Sequence, residues 1–192
     1  MHDRIEFRYF PDYEKWAEFE EPPCDCVGGT EEQSSTCLSG VFFDNPDAPE
    51  SVCLSDLVEG IVPVDIPDWV REELEQSVKA TYPGWTDTQV RTHVEKAVDE
   101  LSRTPPVPWI QNNLWPSCHG DFCAYLGEWD QERLTEASPD GNGQSYLMSI
   151  IRDPEGLGDP DGLWQSIVTG WAQIYVFRCL TCEQLVAIDQ AF

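Results

Sequence analysis

Two stretches of the chain place apolar residues at helical spacing. Val70, Leu74 and Val78 recur every four residues, with Arg71, Glu72, Glu73 and Glu75 on the outside, which predicts an amphipathic helix. Asp65-Ile66-Pro67-Asp68 supplies its start, a capping acid followed by a proline in the first turn, and Tyr82-Pro83-Gly84 ends it. Thr86 and Gln89 have the spacing of a capping box for a second helix, whose stripe is Val90, Val94, Ala97, Val98 and Leu101. His93 falls one residue off that stripe and reads as a boundary histidine. Arg103-Thr104-Pro105-Pro106-Val107-Pro108 stops the helix.

Elsewhere the pattern is shorter. Ile174-Tyr175-Val176-Phe177 and Leu185-Val186-Ala187-Ile188 are β-branched and aromatic runs, and they predict two strands around a tight knuckle. Glu6-Phe7-Arg8-Tyr9-Phe10 alternates charged and aromatic residues before Pro11, as a short strand ended by proline does. From Ser138 to Gly170, turn signals alternate with apolar pieces, so this span reads as an acidic, solvated loop region. Its acids Asp153, Glu155, Asp159 and Asp161 lack the alternating register of a calcium loop.

Between the two predicted strands lies Cys179-Leu180-Thr181-Cys182, and earlier in the chain comes Cys118-His119-Gly120-Asp121-Phe122-Cys123. A tetrahedral metal takes two sulfurs from one tight turn and two more sulfur or imidazole donors from a distant segment, so the two clusters predict one zinc site. Four of Cys118, His119, Cys123, Cys179 and Cys182 would be its ligands. Cys179 and Cys182 form the second half, and Cys123 with either Cys118 or His119 is the favoured first half. A second site is drawn from Cys24, Cys26, Cys37, Cys53 and Asp56, although Cys-x-Cys makes a poorer zinc knuckle than Cys-x-x-Cys. Trp109 and Trp115 precede the first cluster and are placed to roof the site with apolar area.

These elements make an α+β fold, in which short antiparallel strands carry zinc-ribbon-like cysteine knuckles around an inserted pair of helices. The expected division is an N-terminal lobe over residues 1–62, a helical segment over 63–104 and a zinc-binding lobe over 105–192, all within one compact domain.

Composition narrows the function. The chain has 192 residues, 41% of them hydrophobic, enough for a real core. No apolar run approaches the roughly 20 residues of a membrane span, and Met1-His2-Asp3-Arg4 does not begin an export signal. The expectation is a cytoplasmic protein whose eight cysteines are metal ligands and core thiols. A net charge of −25, from 36 acidic against 11 basic residues, excludes nucleic acid and anionic membrane as partners and favours a basic protein. Acidity with only Lys15, Lys79 and Lys96 as lysines also suits a salty cytoplasm.

The residues resemble those of the CbrC family, small bacterial proteins linked to tolerance of a colicin. The likeness lies in Phe7-Arg8-Tyr9-Phe10-Pro11-Asp12, in the cysteines near Gly28-Gly29, in Arg103-Thr104-Pro105 before Trp109, and in Trp115 followed by Cys118-His119-Gly120-Asp121-Phe122-Cys123. It continues through Tyr125-Leu126-Gly127 and ends at Phe177-Arg178-Cys179-Leu180-Thr181-Cys182. The family shows His-Cys where this chain has Cys118-His119, a glycine where it has Glu183, and cysteines near Val27 and at Asp56. The resemblance implies a tolerance or immunity-type role, with an acidic, tryptophan-bearing protein binding a basic toxin domain.

Three functional readings follow. In the first, zinc holds the fold of a non-enzymatic interaction protein with no catalytic residue. In the second, Cys179 and Cys182 cycle as a redox dithiol. The third is a zinc hydrolase with Asp121 or Glu183 as general base. No Gly-x-Ser-x-Gly, phosphate loop or catalytic triad spacing is present.

Overall fold

A computed structural model describes residues 5–20, 37–39, 51–155 and 159–192. It is α+β, as the patterning predicts. In the N-terminal part, α1 (Tyr13–Trp16) leads into β1 (Phe19–Glu20), which pairs antiparallel with β2 (Cys37–Ser39), and β2 pairs with β3 (Ser51–Cys53). The short α2 (Leu54–Glu59) follows at once and ends on Gly60. Glu6–Phe10 forms no strand. Phe7, Tyr9 and Phe10 are buried while Arg8 stays out, and an irregular segment with bends achieves this, docked by Tyr125 N donating to Tyr9 O at 2.8 Å.

The helical pair is α3 (Asp68–Thr81) and α4 (Asp87–Ser102). Every residue of the two predicted stripes is buried, because periods of three and four bring them to one face. The capping box forms, with Thr86 Oγ1 accepting from Gln89 N at 3.3 Å and Gln89 Oε1 accepting from Thr86 N at 2.9 Å. At α3 the start differs from expectation. Pro67 occupies the cap, no side chain caps the helix, and Asp65 is left outside it.

Next comes a hairpin of β4 (Ser117–Cys118) and β5 (Asp121–Phe122), then β6 (Ala124–Glu128). Three helices follow, α5 (Gln131–Ala137), α6 (Gly143–Ile150) and α7 (Pro160–Thr169), and the last two lie where a loop region was expected. Their starts are capped by Asp130, Asn142 and Asp159, each accepting a backbone N–H three residues on. Finally β7 (Ala172–Arg178) and β8 (Leu185–Ala191) complete an antiparallel sheet in the order β6-β7-β8. The expected strand, knuckle, strand is therefore present.

Two cores result. The larger runs from Phe7 and Tyr9 through α3 and α4 to Trp115, Phe122, Cys123, Phe177 and Cys179. The smaller packs Leu134, Leu147 and Ile151 against Ile174, Val176 and Ala187. In β6 the register shifts between Tyr125 and Gly127. Gly127 has φ +107°, and a Cβ there would lie 2.2 Å from the Trp16 ring, so only glycine fits. No helix of the described residues is long and apolar enough to cross a membrane.

Candidate metal centre

The β4–β5 hairpin closes through two residues, His119 and Gly120, with φ of 53° and 75°, while Cys118 and Asp121 face each other as the flanking pair. Two positive φ values in succession are what a two-residue hairpin turn needs to match strand twist. Gly120 is required twice over, since a Cβ would sit 2.9 Å from the Tyr82 ring and 3.4 Å from the α3 backbone at Val78. The helical pair grips this turn. Ser77 Oγ accepts from Gly120 N at 3.0 Å, and His93 Nε2 lies 2.8 Å from Gly120 O. His93 thus has a use its position beside the stripe did not reveal, and it is packed against Tyr82 and Trp85, which stack at 4.1 Å.

The opposing knuckle lies between β7 and β8. Cys179 N donates to Gln184 O at 2.9 Å and Glu183 N to Cys179 O at 3.1 Å, which folds the turn back on itself. The amides of Thr181 and Cys182 both point at Cys179 Sγ, each at 3.4 Å. Glu183 completes the turn with φ 61°. Among the described residues, His119 and Glu183 alone hold positive φ without being glycine. Backbone strain is thus concentrated in the two turns that face each other.

Between those turns converge Cys118 Sγ, His119 Nδ1, Cys179 Sγ and Cys182 Sγ, all within 4.8 Å of one another. Cys118 Sγ is 3.1 Å from His119 Nδ1 and 3.9 Å from Cys182 Sγ, and Cys179 Sγ is 3.6 Å from His119 Nδ1. This group can hold a metal ion. Burial works against the thiolate of Cys179, yet the amides of Cys182 and Thr181, with hydrogen bonds from Cys118 and Cys182, pull its pKa below the ordinary thiol value. Cys118 moves the other way, raised by burial and by its hydrogen bond and charge interaction with Cys179. One negative sulfur thus resists ionisation of its neighbour, and a cation between them relieves that repulsion.

Cys123, favoured in sequence as a ligand, is not in the group. It sits at the base of the hairpin, opposite Pro116, whose carbonyl accepts its N–H at 3.0 Å, and its side chain is fully buried. Burial raises its thiol pKa further. Cys118 and His119 both belong to the cluster, so adjacent residues supply one half of it. Trp115 does back the hairpin, its Nε1 donating to Cys123 O at 2.8 Å while its ring packs edge-on to Phe177. Of the proposed general bases, Asp121 is engaged by Arg8, Tyr9 Oη at 2.7 Å and Phe122 N at 2.9 Å, and Glu183 is exposed.

The model of the uncharacterised protein family UPF0167 matches residues 5–190. The chain belongs to that family. No solved structure matches it significantly.

The N-terminal cysteines of this UPF0167 chain are arranged differently. Cys24 and Cys26 lie outside the described residues. Cys37 and Cys53 face each other across β2 and β3. Cys37 is disulfide-bonded, while Cys53 is a buried cysteine outside any disulfide. The expectation that all eight cysteines are reduced is corrected at Cys37, whose sulfur in a disulfide is not a thiolate ligand. Asp56, in the first turn of α2, is buried, and its Oδ2 has no hydrogen-bond partner.

Proposed function

We propose that this protein is a non-enzymatic interaction protein stabilised by one zinc ion held by Cys118, His119, Cys179 and Cys182. The donor spacing carries this reading. Zinc at about 2.3 Å from sulfur and about 2.0 Å from nitrogen sets tetrahedral edges of about 3.8 Å between sulfurs and about 3.5 Å between sulfur and nitrogen. The sulfur pair at 3.9 Å and the sulfur–nitrogen pair at 3.6 Å lie close to those edges, while Cys118 Sγ and His119 Nδ1, on adjacent residues, are closer at 3.1 Å. Three sulfurs and one imidazole fill all four positions, which is the pattern of a structural site and leaves no open position for substrate. In a redox dithiol the attacking cysteine commonly opens a helix, whereas Cys179 and Cys182 sit between two strands.

The metal supplies a cross-link. It ties the β4–β5 hairpin, clamped by α3 and α4, to the end of the β7–β8 pair, and so closes the larger core. Function then resides in the surface, and a net charge of −25 suits a basic protein partner. The CbrC-like residues extend this to a tolerance or immunity-type role in the cytoplasm, with a basic toxin domain as partner.

The test is metal content of the purified protein, with thiol titration before and after a strong chelator. The expected result is about one zinc per chain, with the thiols of the cluster reactive only after chelation and the near-UV signal lost with the metal. A metal-free protein with freely reacting Cys179 and Cys182 would overturn the zinc reading in favour of a dithiol.

A further inference from the structure

Against the helical pair, on the side of the proline-rich segment, lies a cleft of about 130 Å³. Trp69, Trp109 and Trp115 line it, with Asp65, Asn113 and Pro106. Trp69 stands at the start of α3 with 48% of its surface exposed, and its Nε1 donates to Asn113 O at 2.8 Å, which fixes the ring at the rim. Trp109 is backed by Phe177, stacked at 5.8 Å, and by Tyr175 at 4.8 Å. Asp65 is exposed and has no ion-pair partner among the described residues. The cleft therefore presents the exposed indole of Trp69, the partly exposed indole of Trp109 and one uncompensated carboxylate, with the buried Trp115 at its floor.

We infer that this cleft receives an arginine side chain of a basic protein partner. The inference rests on the basic-partner reading above and gives it a place on the surface. Its volume is small beside the roughly 300–1,000 Å³ of cofactor and drug-sized pockets and suits a single side chain. Chemistry selects the ligand. Tryptophan faces attract a cation, and a flat guanidinium both stacks on indole and pairs with a carboxylate, which a compact ammonium does less well. Overall charge favours the same occupant, since a field of −25 repels acidic side chains and draws basic ones. Anchoring tryptophans of this kind carry a large share of binding energy at protein interfaces.

The experiment titrates the full-length protein, metal as isolated, with Nα-acetyl-arginine amide and with its neutral isostere Nα-acetyl-citrulline amide, following the tryptophan indole N–H resonances. Saturable shifts confined to a few indoles are expected, with citrulline weaker by about tenfold. Asp65→Asn and Trp69→Ala should each lower the arginine affinity about five- to tenfold with metal content unchanged, and Asp65→Asn should also leave thermal unfolding unchanged. Equal binding of citrulline, absence of a saturable shift, or indifference to both substitutions overturns the inference. An oligoarginine peptide separates the two levels. Binding that survives Asp65→Asn and Trp69→Ala reports diffuse charge attraction, which sinks the cleft and leaves the basic-partner reading standing. Failure of oligoarginine to bind at low salt sinks both.

Discussion

The two cysteine regions of this chain have similar composition and different geometry. In the C-terminal part, Cys118, His119, Cys179 and Cys182 stand on two turns whose left-handed residues fold the backbone sharply enough for four donor atoms to meet within 4.8 Å. In the N-terminal part, Cys37 and Cys53 sit in register on paired strands, one in a disulfide and the other a buried thiol. Strands space side chains at fixed intervals along a surface, whereas turns aim them at a point. Convergence of donors from two turns is what lets the C-terminal group hold a metal ion.

The largest effect should separate these regions. Cys182→Ser removes a donor and, if the cluster holds the cross-link, should abolish metal binding and destabilise the protein by roughly 3–5 kcal/mol, lowering Tm by about 10 °C or more. Cys53→Ser puts a hydroxyl in a buried site and should cost about 1–2 kcal/mol with metal content unchanged. Parallel metal analysis and calorimetry decide it. Loss of metal in Cys53→Ser with retention in Cys182→Ser would reverse the assignment of the two regions.

A smaller effect is expected where the N-terminal segment meets the β4–β5 hairpin. Asp121 lies opposite Cys118 and accepts from Arg8, Tyr9 Oη and Phe122 N. Arg8 is half-exposed, with 49% of its side chain accessible, so solvent screens most of that ion pair, and the buried Tyr9 bond matters more. Asp121→Ala leaves the Tyr9 hydroxyl without its partner and should cost about 2 kcal/mol, whereas Asp121→Asn, which can still accept that bond, should cost about 1 kcal/mol. Both costs are read from denaturant unfolding. Equal losses from the two substitutions would mean that the exposed charge pair, and not the tyrosine bond, holds the segment.

Much of this was legible before any coordinates. Val70 to Val78 and Val90 to Leu101 repeat their period several times, so α3 and α4 stood out, and β-branched runs on either side of Cys179-Leu180-Thr181-Cys182 gave the knuckle. The three helices α5 to α7 did not, because each repeats its period barely twice and begins at Asp130, Asn142 or Asp159, residues that also make turns. Arg8 misled in its own way, since alternation with buried Phe7 and Tyr9 imitates a strand. The donor cluster is visible from spacing, but the choice among Cys118, His119 and Cys123 depends on a turn of two residues. Its signal was Gly120 between the members of the pair Cys118 and Asp121. The cleft had no local signature at all, because Asp65 and Trp69 reach Trp109 only once α3 is docked.

The smallest effect tests whether strain in the turns is a cost the fold tolerates. Glu183 is exposed and held at φ 61°, a conformation disfavoured for residues with a Cβ by roughly 1–2 kcal/mol. Glycine adopts it freely but brings a more disordered unfolded chain, which returns part of the gain. Glu183→Gly should therefore stabilise the protein by about 0.5–1 kcal/mol and raise Tm by about 2–3 °C, with the same metal content. The corresponding change at His119 should behave in the opposite way. His119→Gly relieves the same kind of backbone strain and yet removes a donor from the cluster, so it should weaken metal binding and lower Tm. If both substitutions stabilise, His119 is a turn residue and no ligand, and the centre would be left with three sulfurs and an open position.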